Sequence, residues 1–127
     1  MKFHHIGIAT EDISKTEAWL KCIYGVGEKS DTVYDEKQDA NLCMYTLEDG
    51  TKIELISGNV VKTFLKKKIF LYHTCYEVDN LDVKSQELLQ AGAMIVSEPK
   101  DAVLFDNKRV MFFLTPMGMI ELLERGK

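Results

Sequence analysis

The sequence predicts an α+β fold made of one unit used twice, and three observations carry that prediction. "HHIGIATEDI" (residues 4–13) and "YHTCYEVDNL" (72–81) share a layout: a histidine, a strand-like alternation, a polar or acidic pair, then an aliphatic residue opening a helix. The spacing holds farther on. The interval from His5 to His73 recurs unchanged from Ile13 to Leu81, from Leu20 to Leu88 and from Ile23 to Ala91, and Glu54 to Glu121 falls a single position short of it. Such self-similarity sets the architecture ahead of any local assignment. Finally, 127 residues can bury one core but not two independent ones, so two half-size units must share it in a single domain spanning 1–127.

In chain order, residues 3–10 alternate so that His5, Gly7 and Ala9 share one face of a strand while Ile6 and Ile8 share the other. A helix opens at Ile13, where Ser14 and Glu17 have the spacing of a capping box. Ile13, Leu20, Ile23 and Tyr24 fall on one helical face, and Gly25 ends the helix. "DTVYDEKQDANLCMYTL" and "TKIELIS" then alternate on either side of "EDG", a hairpin signal with Asp49 and Gly50 at the turn. Module 1 (1–58) therefore reads as a strand, a helix and about three strands. A linker, 59–71, leads to module 2 (72–127), where the pattern restarts: strand 72–78, helix near 82–91, Gly92, then strands near 93–97, 109–115 and 118–124. Asp106–Asn107 and "TPMG" (115–118) read as turns, and Pro99 as the start of a loop. Each βαβββ module gives a mostly antiparallel sheet with one face covered by its helix. Two such sheets side by side make an eight-stranded half-barrel cup with the helices outside.

Composition narrows the function classes. At 46% hydrophobic and 28% charged, with two prolines, the chain is globular. A net charge of -4 argues against nucleic acid as a partner. "LKKK" (65–68) reads as a solvated connector, or as an electrostatic landing for an anionic substrate tail. Cys22, Cys43 and Cys75 are odd in number and lack C-x-x-C spacing, which suits reduced thiols. No segment has the run of roughly 20 apolar residues that a membrane helix needs, and the N-terminal apolar run is too short for a signal peptide. No membrane partner and a cytoplasmic location are the expectations, with a homodimer favoured by exposed sheet edges.

Ile6 and Ile8 suit the helix side of the first strand, which turns His5 to the other face. Ile53 and Leu55 flank Glu54 in the same way, and Ile120 and Leu122 flank Glu121. A carboxylate turned into a sheet interior costs several kcal/mol unless it is protonated, paired or metal-bound. Two histidines and two glutamates related by the repeat suit one divalent ion, whether zinc, iron, cobalt, nickel or manganese. His4 has no such counterpart, because Tyr72 holds the matching position.

"HIGIATED", "IELIS", "YHTCYEVDNLD" and "VMFFLTPMGMIELLE" resemble the metal-bearing strands of the vicinal-oxygen-chelate superfamily, over nearly the whole chain. Within it, the layout is most similar to that of methylmalonyl-CoA epimerases and, less closely, glyoxalase I. The resemblance implies His5, Glu54, His73 and Glu121 as the metal ligands. It also implies a metal-dependent lyase or isomerase of the lactoylglutathione lyase or epimerase kind, moving a proton next to the carbonyl or thioester of a small molecule by way of an enolate. Glu121 or Glu54 would be the base. Where epimerases carry a second acid/base glutamate this chain has Lys37, with Glu36 beside it as the candidate. The other implied class is a non-catalytic, drug-sequestering protein of the same fold, which commonly lacks the ligand set.

Overall fold

The structure, a computed structural model, describes residues 1–126. It divides into two compact units: His5–Tyr72, and Met1–His4 together with the chain from His73 onward. The divisions fall inside β1 (Lys2–Ala9) and β6 (Leu71–Val78).

In the unit His5–Tyr72 the sheet runs β2 (Val26–Lys29), β4 (Ala40–Leu47), β5 (Lys52–Gly58), β1, and the short β3 (Val33–Asp35) pairs with β4. β1 lies parallel to β5, and the remaining pairs are antiparallel. One helix, α1 (Ile13–Ile23), covers one face. Leu20 is buried there against Cys43, Tyr45 and Leu55, with Ile8, Ile13 and Ile53 packed around them. The odd/even alternation of β1 and β5 therefore places Ile8, Ile53 and Leu55 toward the helix, and His5 and Glu54 on the opposite face.

The helix is capped differently from the sequence expectation. Asp12, not Ser14, is the N-cap, its carboxylate accepting from the Lys15 amide at 3.2 Å. Glu17, freed from a capping box, accepts instead from Lys29 Nζ at 2.6 Å and from the Tyr45 hydroxyl at 2.8 Å. Gly25, at φ +76°, ends the helix with its amide donating to the Leu20 carbonyl, as expected of a residue that must turn left-handed. Ile23 and Tyr24 do not join Leu20 in the core. They stay 58% and 52% exposed, and Trp19 packs edge-on against Tyr24.

Lys29 and then Tyr45 hold the Glu17 carboxyl down to a pKa of about 2, against 4.5 for an ordinary glutamate. A folded-state value below the unfolded one gives stability that is fully present above about 4.5 and lost as pH falls toward about 2. Lys29 is largely exposed and screened, so only a small part of that shift reaches the stability of the fold. Urea unfolding between pH 5 and pH 3 should therefore be slightly less pH-dependent in Glu17→Gln than in the parent.

The connector is partly helical: a 3-10 turn, Asn59–Val61, leads into α2 (Lys62–Lys66). Just beyond α2, Lys68 stands at φ +57°, a left-handed conformation that side chains with a Cβ disfavour. Lys68→Gly is expected to stabilise the fold by up to about 1 kcal/mol, read as a rise in thermal midpoint.

In the second unit the order is β6, β9 (Gly118–Glu124), β8 (Lys108–Thr115), β7 (Met94–Ala102), with β6 parallel to β9. α3 (Leu81–Gln90) is N-capped by Asn80, which holds the place in the second copy that Asp12 holds in the first. Leu81, Met111, Phe113, Ile120 and Leu122 form the core beneath it. The opposite face of this sheet buries Cys75, Val110 and Leu123 beside Ala102. Pro99 does not open a loop. It lies inside β7, at the register shift between Ser97 and Lys100, where an edge strand tolerates a residue without an amide proton.

The sequence expects three strands after each helix. Among the described residues α1 is followed by four, because Val33–Asp35 pairs on the far side of β4. Cys43 and Cys75 are buried and Cys22 is exposed on α1, all three being free thiols. No helix among the described residues is long and apolar enough to cross a membrane.

Candidate functional site

Each unit buries one histidine–glutamate pair on the sheet face away from its helix. In the first, the register of β1 on β5 sets Gly7 opposite Glu54, so His5, two residues earlier, shares the face with the carboxylate. His5 is 0% exposed and Glu54 4%, with His5 Nε2 at 3.4 Å from Glu54 Oε1. In the second, β6 on β9 sets Cys75 opposite Glu121, so His73 again stands two residues before the glutamate's partner. His73 and Glu121 are each 3% exposed, and Nε2 lies 3.2 Å from Oε1. The glutamates recur at a slightly shorter interval than the histidines, yet this offset is unchanged, because register is set by strand pairing and not by sequence distance.

These separations bear on what the pairs can hold. A hydrogen bond between a charged imidazole and a carboxylate closes to about 2.7–2.9 Å. Two donor atoms each about 2.1 Å from a shared ion stand about 3.0–3.4 Å apart at tetrahedral or octahedral angles. Both pairs fall at or near that wider spacing, and imidazole nitrogen with carboxylate oxygen is a donor set suited to a divalent transition ion. The residues present therefore fit a metal.

The surroundings hold further groups that the sequence does not announce. The His73 ring meets Phe112 edge-on at 5.2 Å, and Lys100 Nζ lies 5.6 Å from the centre of the Phe112 ring. Phe112 is the β8 partner of Glu121. In "VMFFLT" an unbroken apolar run hides the alternation, so neither phenylalanine reveals its face. Counting back from the "TPMG" turn, with Thr115 opposite Gly118, would have placed Phe112 beside Glu121. Phe113, one position on, faces α3 instead.

Glu36 is exposed in the turn between β3 and β4, as is Lys37. The buried acid of that segment is Asp35, 4% exposed. It accepts from the amides of Lys37 and Gln38 and from the Gln38 side chain at 2.7 Å, so it holds the turn together. His4, set aside on sequence grounds, packs edge-on against Phe105 at 5.6 Å.

A family model described as the glyoxalase/bleomycin resistance protein/dioxygenase superfamily matches residues 4–112. The mitochondrial methylmalonyl-CoA epimerase of Bos taurus is 28% identical over 91% of this chain and 67% of its own length. The ethylmalonyl-CoA/methylmalonyl-CoA epimerase of Cereibacter sphaeroides is 25% identical over 87% of this chain and 86% of its own. Among solved structures, methylmalonyl-CoA epimerase from Mycobacterium tuberculosis superposes with a TM-score of 0.83 at 21% identity, covering 99% of this chain and 89% of that one. A variant of the Streptomyces coelicolor methylmalonyl-CoA epimerase in complex with 2-nitronate-propionyl-CoA gives 0.80 at 19% identity, covering 100% and 99%. At these identities the structures establish a shared fold.

Proposed function

Because the chain belongs to the glyoxalase/bleomycin resistance protein/dioxygenase superfamily, we propose that it is a divalent-metal-dependent epimerase acting on a methylmalonyl-CoA-like thioester, with His5, Glu54, His73 and Glu121 as ligands of one ion. The observation that carries this reading is the repeated offset: in both units a buried histidine sits two residues before the strand partner of a buried glutamate. The relatives named as epimerases support the reaction type and the substrate class.

When bound, the ion supplies positive charge that lowers the energy of an enolate next to the thioester. The chain's own part is to move a proton. One glutamate of the pair Glu121 and Glu54, as carboxylate, takes the proton from the carbon between the thioester carbonyl and the free carboxylate, and the other, in its acid form, gives a proton to the opposite face, which inverts that centre. Glu36 is the third carboxylate proposed for this work. Being exposed, it can exchange its proton with solvent between turnovers.

Deuterium uptake at the α-carbon of methylmalonyl-CoA in heavy water tests the proposal, with chelator-treated protein and divalent ions added back. Metal-dependent uptake is the expected result. Protein that binds the ion yet exchanges no proton would overturn the epimerase reading. Turnover of the hemithioacetal of glutathione and methylglyoxal in its place would substitute the lyase reaction.

A further inference from the structure

A cleft of about 840 Å³ opens in the unit His5–Tyr72, at the C-terminal end of β1. Its floor is Ile8, Ala9 and Thr10. One wall is α1, presenting Lys15 and Trp19, and the other is the end of the connector, presenting Lys68 and Phe70. A second recess of about 570 Å³ shares Thr10, Glu11 and Leu65 with it and adds Lys62 and Lys66.

Two features of this cleft need a reason. Trp19 and Phe70 are 54% and 56% exposed, although each carries enough apolar surface to reward burial. Their positions are nonetheless defined: Trp19 rests edge-on against Tyr24, and the Phe70 carbonyl accepts from the Ala9 amide at 2.8 Å. The charge is also anomalous. Lys15, Lys62, Lys66 and Lys68 outnumber Glu11 and Asp12 here, so the recesses carry about two positive charges on a chain of net charge -4. Asp12 is already engaged as the α1 cap. Lys68, moreover, holds its cationic side chain at a backbone position where glycine would sit more easily.

We propose that this cleft binds a nucleoside carrying two or more phosphates, its base on the exposed rings of Trp19 and Phe70 and its phosphates on the lysines. A flat ring gains from stacking on either aromatic face, polyanions from the local excess of ammonium groups, and the volume matches small-molecule pockets. The chemistry has two sources, a free nucleotide or the nucleotide end of a larger thioester. Only the second rests on the function proposed above.

Trp19 is the only tryptophan, so its fluorescence reports on the cleft directly. Adenosine 3′,5′-bisphosphate and ADP, titrated into full-length protein held in chelator, are expected to quench it saturably, and more weakly as salt is raised. Lys66→Ala and Lys68→Gly should each weaken binding roughly two- to fivefold. Phe70→Ala should weaken it roughly fivefold or more. Lys68→Gly separates binding from folding, because it should raise the thermal midpoint while lowering affinity. Coenzyme A binding more tightly than either nucleotide would assign the thioester as source, and equal binding the free nucleotide. The absence of saturable quenching would overturn the proposal. So would displacement by inorganic pyrophosphate as readily as by ADP, or affinity unchanged in the lysine variants. None of these outcomes depends on turnover, so they are independent of whether the epimerase assay succeeds.

Discussion

Glu121→Gln is expected to lower proton exchange on methylmalonyl-CoA by about 10²–10⁴-fold, the range lost when a positioned acid/base group is removed. The substitution keeps the size and shape of a side chain that is 3% exposed but takes away its charge and its basicity. Metal content tells which loss matters. If the protein as purified retains its ion and loses exchange, Glu121 is the base; if ion and exchange fall together, it is a ligand first. Glu54→Gln probes the matching position in the other half, at 4% exposure, with the same two readouts. If one of the two variants keeps metal while the other loses it, the assignments of base and ligand follow. Glu36→Gln, on an exposed turn, should leave metal content unchanged whether or not it slows exchange. Retention of both full activity and metal in Glu121→Gln and Glu54→Gln would remove the proposed centre.

Much of this was legible in the chain because the relevant signals are local. The His5 and His73 faces, the aliphatic flanks of Glu54 and Glu121, the Asp49–Gly50 and Asp106–Asn107 turns and the Gly25 stop each depend on the alternation or backbone needs of a few neighbouring residues. The illegible parts depend on competition between partners distant in sequence. Ser14 and Glu17 satisfy the capping-box spacing, but Lys29 and Tyr45, 12 and 28 residues from Glu17, draw its carboxylate to the sheet. Asp12 then takes the cap. Pro99 looks like a breaker until β7 is known to be an edge strand with an irregular register there. Val33–Asp35 is too short for its alternation to show, and pairing along β4 makes it a strand. Lys100 and His73 both meet the Phe112 ring, a meeting that pairing across strands sets and that no local pattern announces.

Phe113→Ala should be the most destabilising single change in the core, by about 3–5 kcal/mol, read from the urea midpoint. Phe113 is 0% exposed under α3, and its counterpart in the first copy of the repeat is Tyr45, also 0% exposed and packed under α1. The two rings do the same packing with different polar requirements. The Tyr45 hydroxyl must find an acceptor, and Glu17 on α1 provides it. Ser85, at the position on α3 that matches Glu17 on α1, has no hydroxyl at position 113 to satisfy, and donates to the Leu81 carbonyl at 2.6 Å, with Met111 Sδ at 3.3 Å. Tyr45→Phe therefore removes one hydrogen bond to a charged group without opening a cavity, and is expected to cost about 1–2 kcal/mol. Phe113→Ala opens a void that the surrounding Leu122 and Met111 cannot fill without moving strands that also carry Glu121 and its partner Phe112. Loss of metal affinity in Phe113→Ala, alongside lost stability and absent in Tyr45→Phe, is the expected sign that the second half's core holds the proposed ligands His73 and Glu121 in place. Equal costs for the two substitutions would show that the ring at 113 packs loosely.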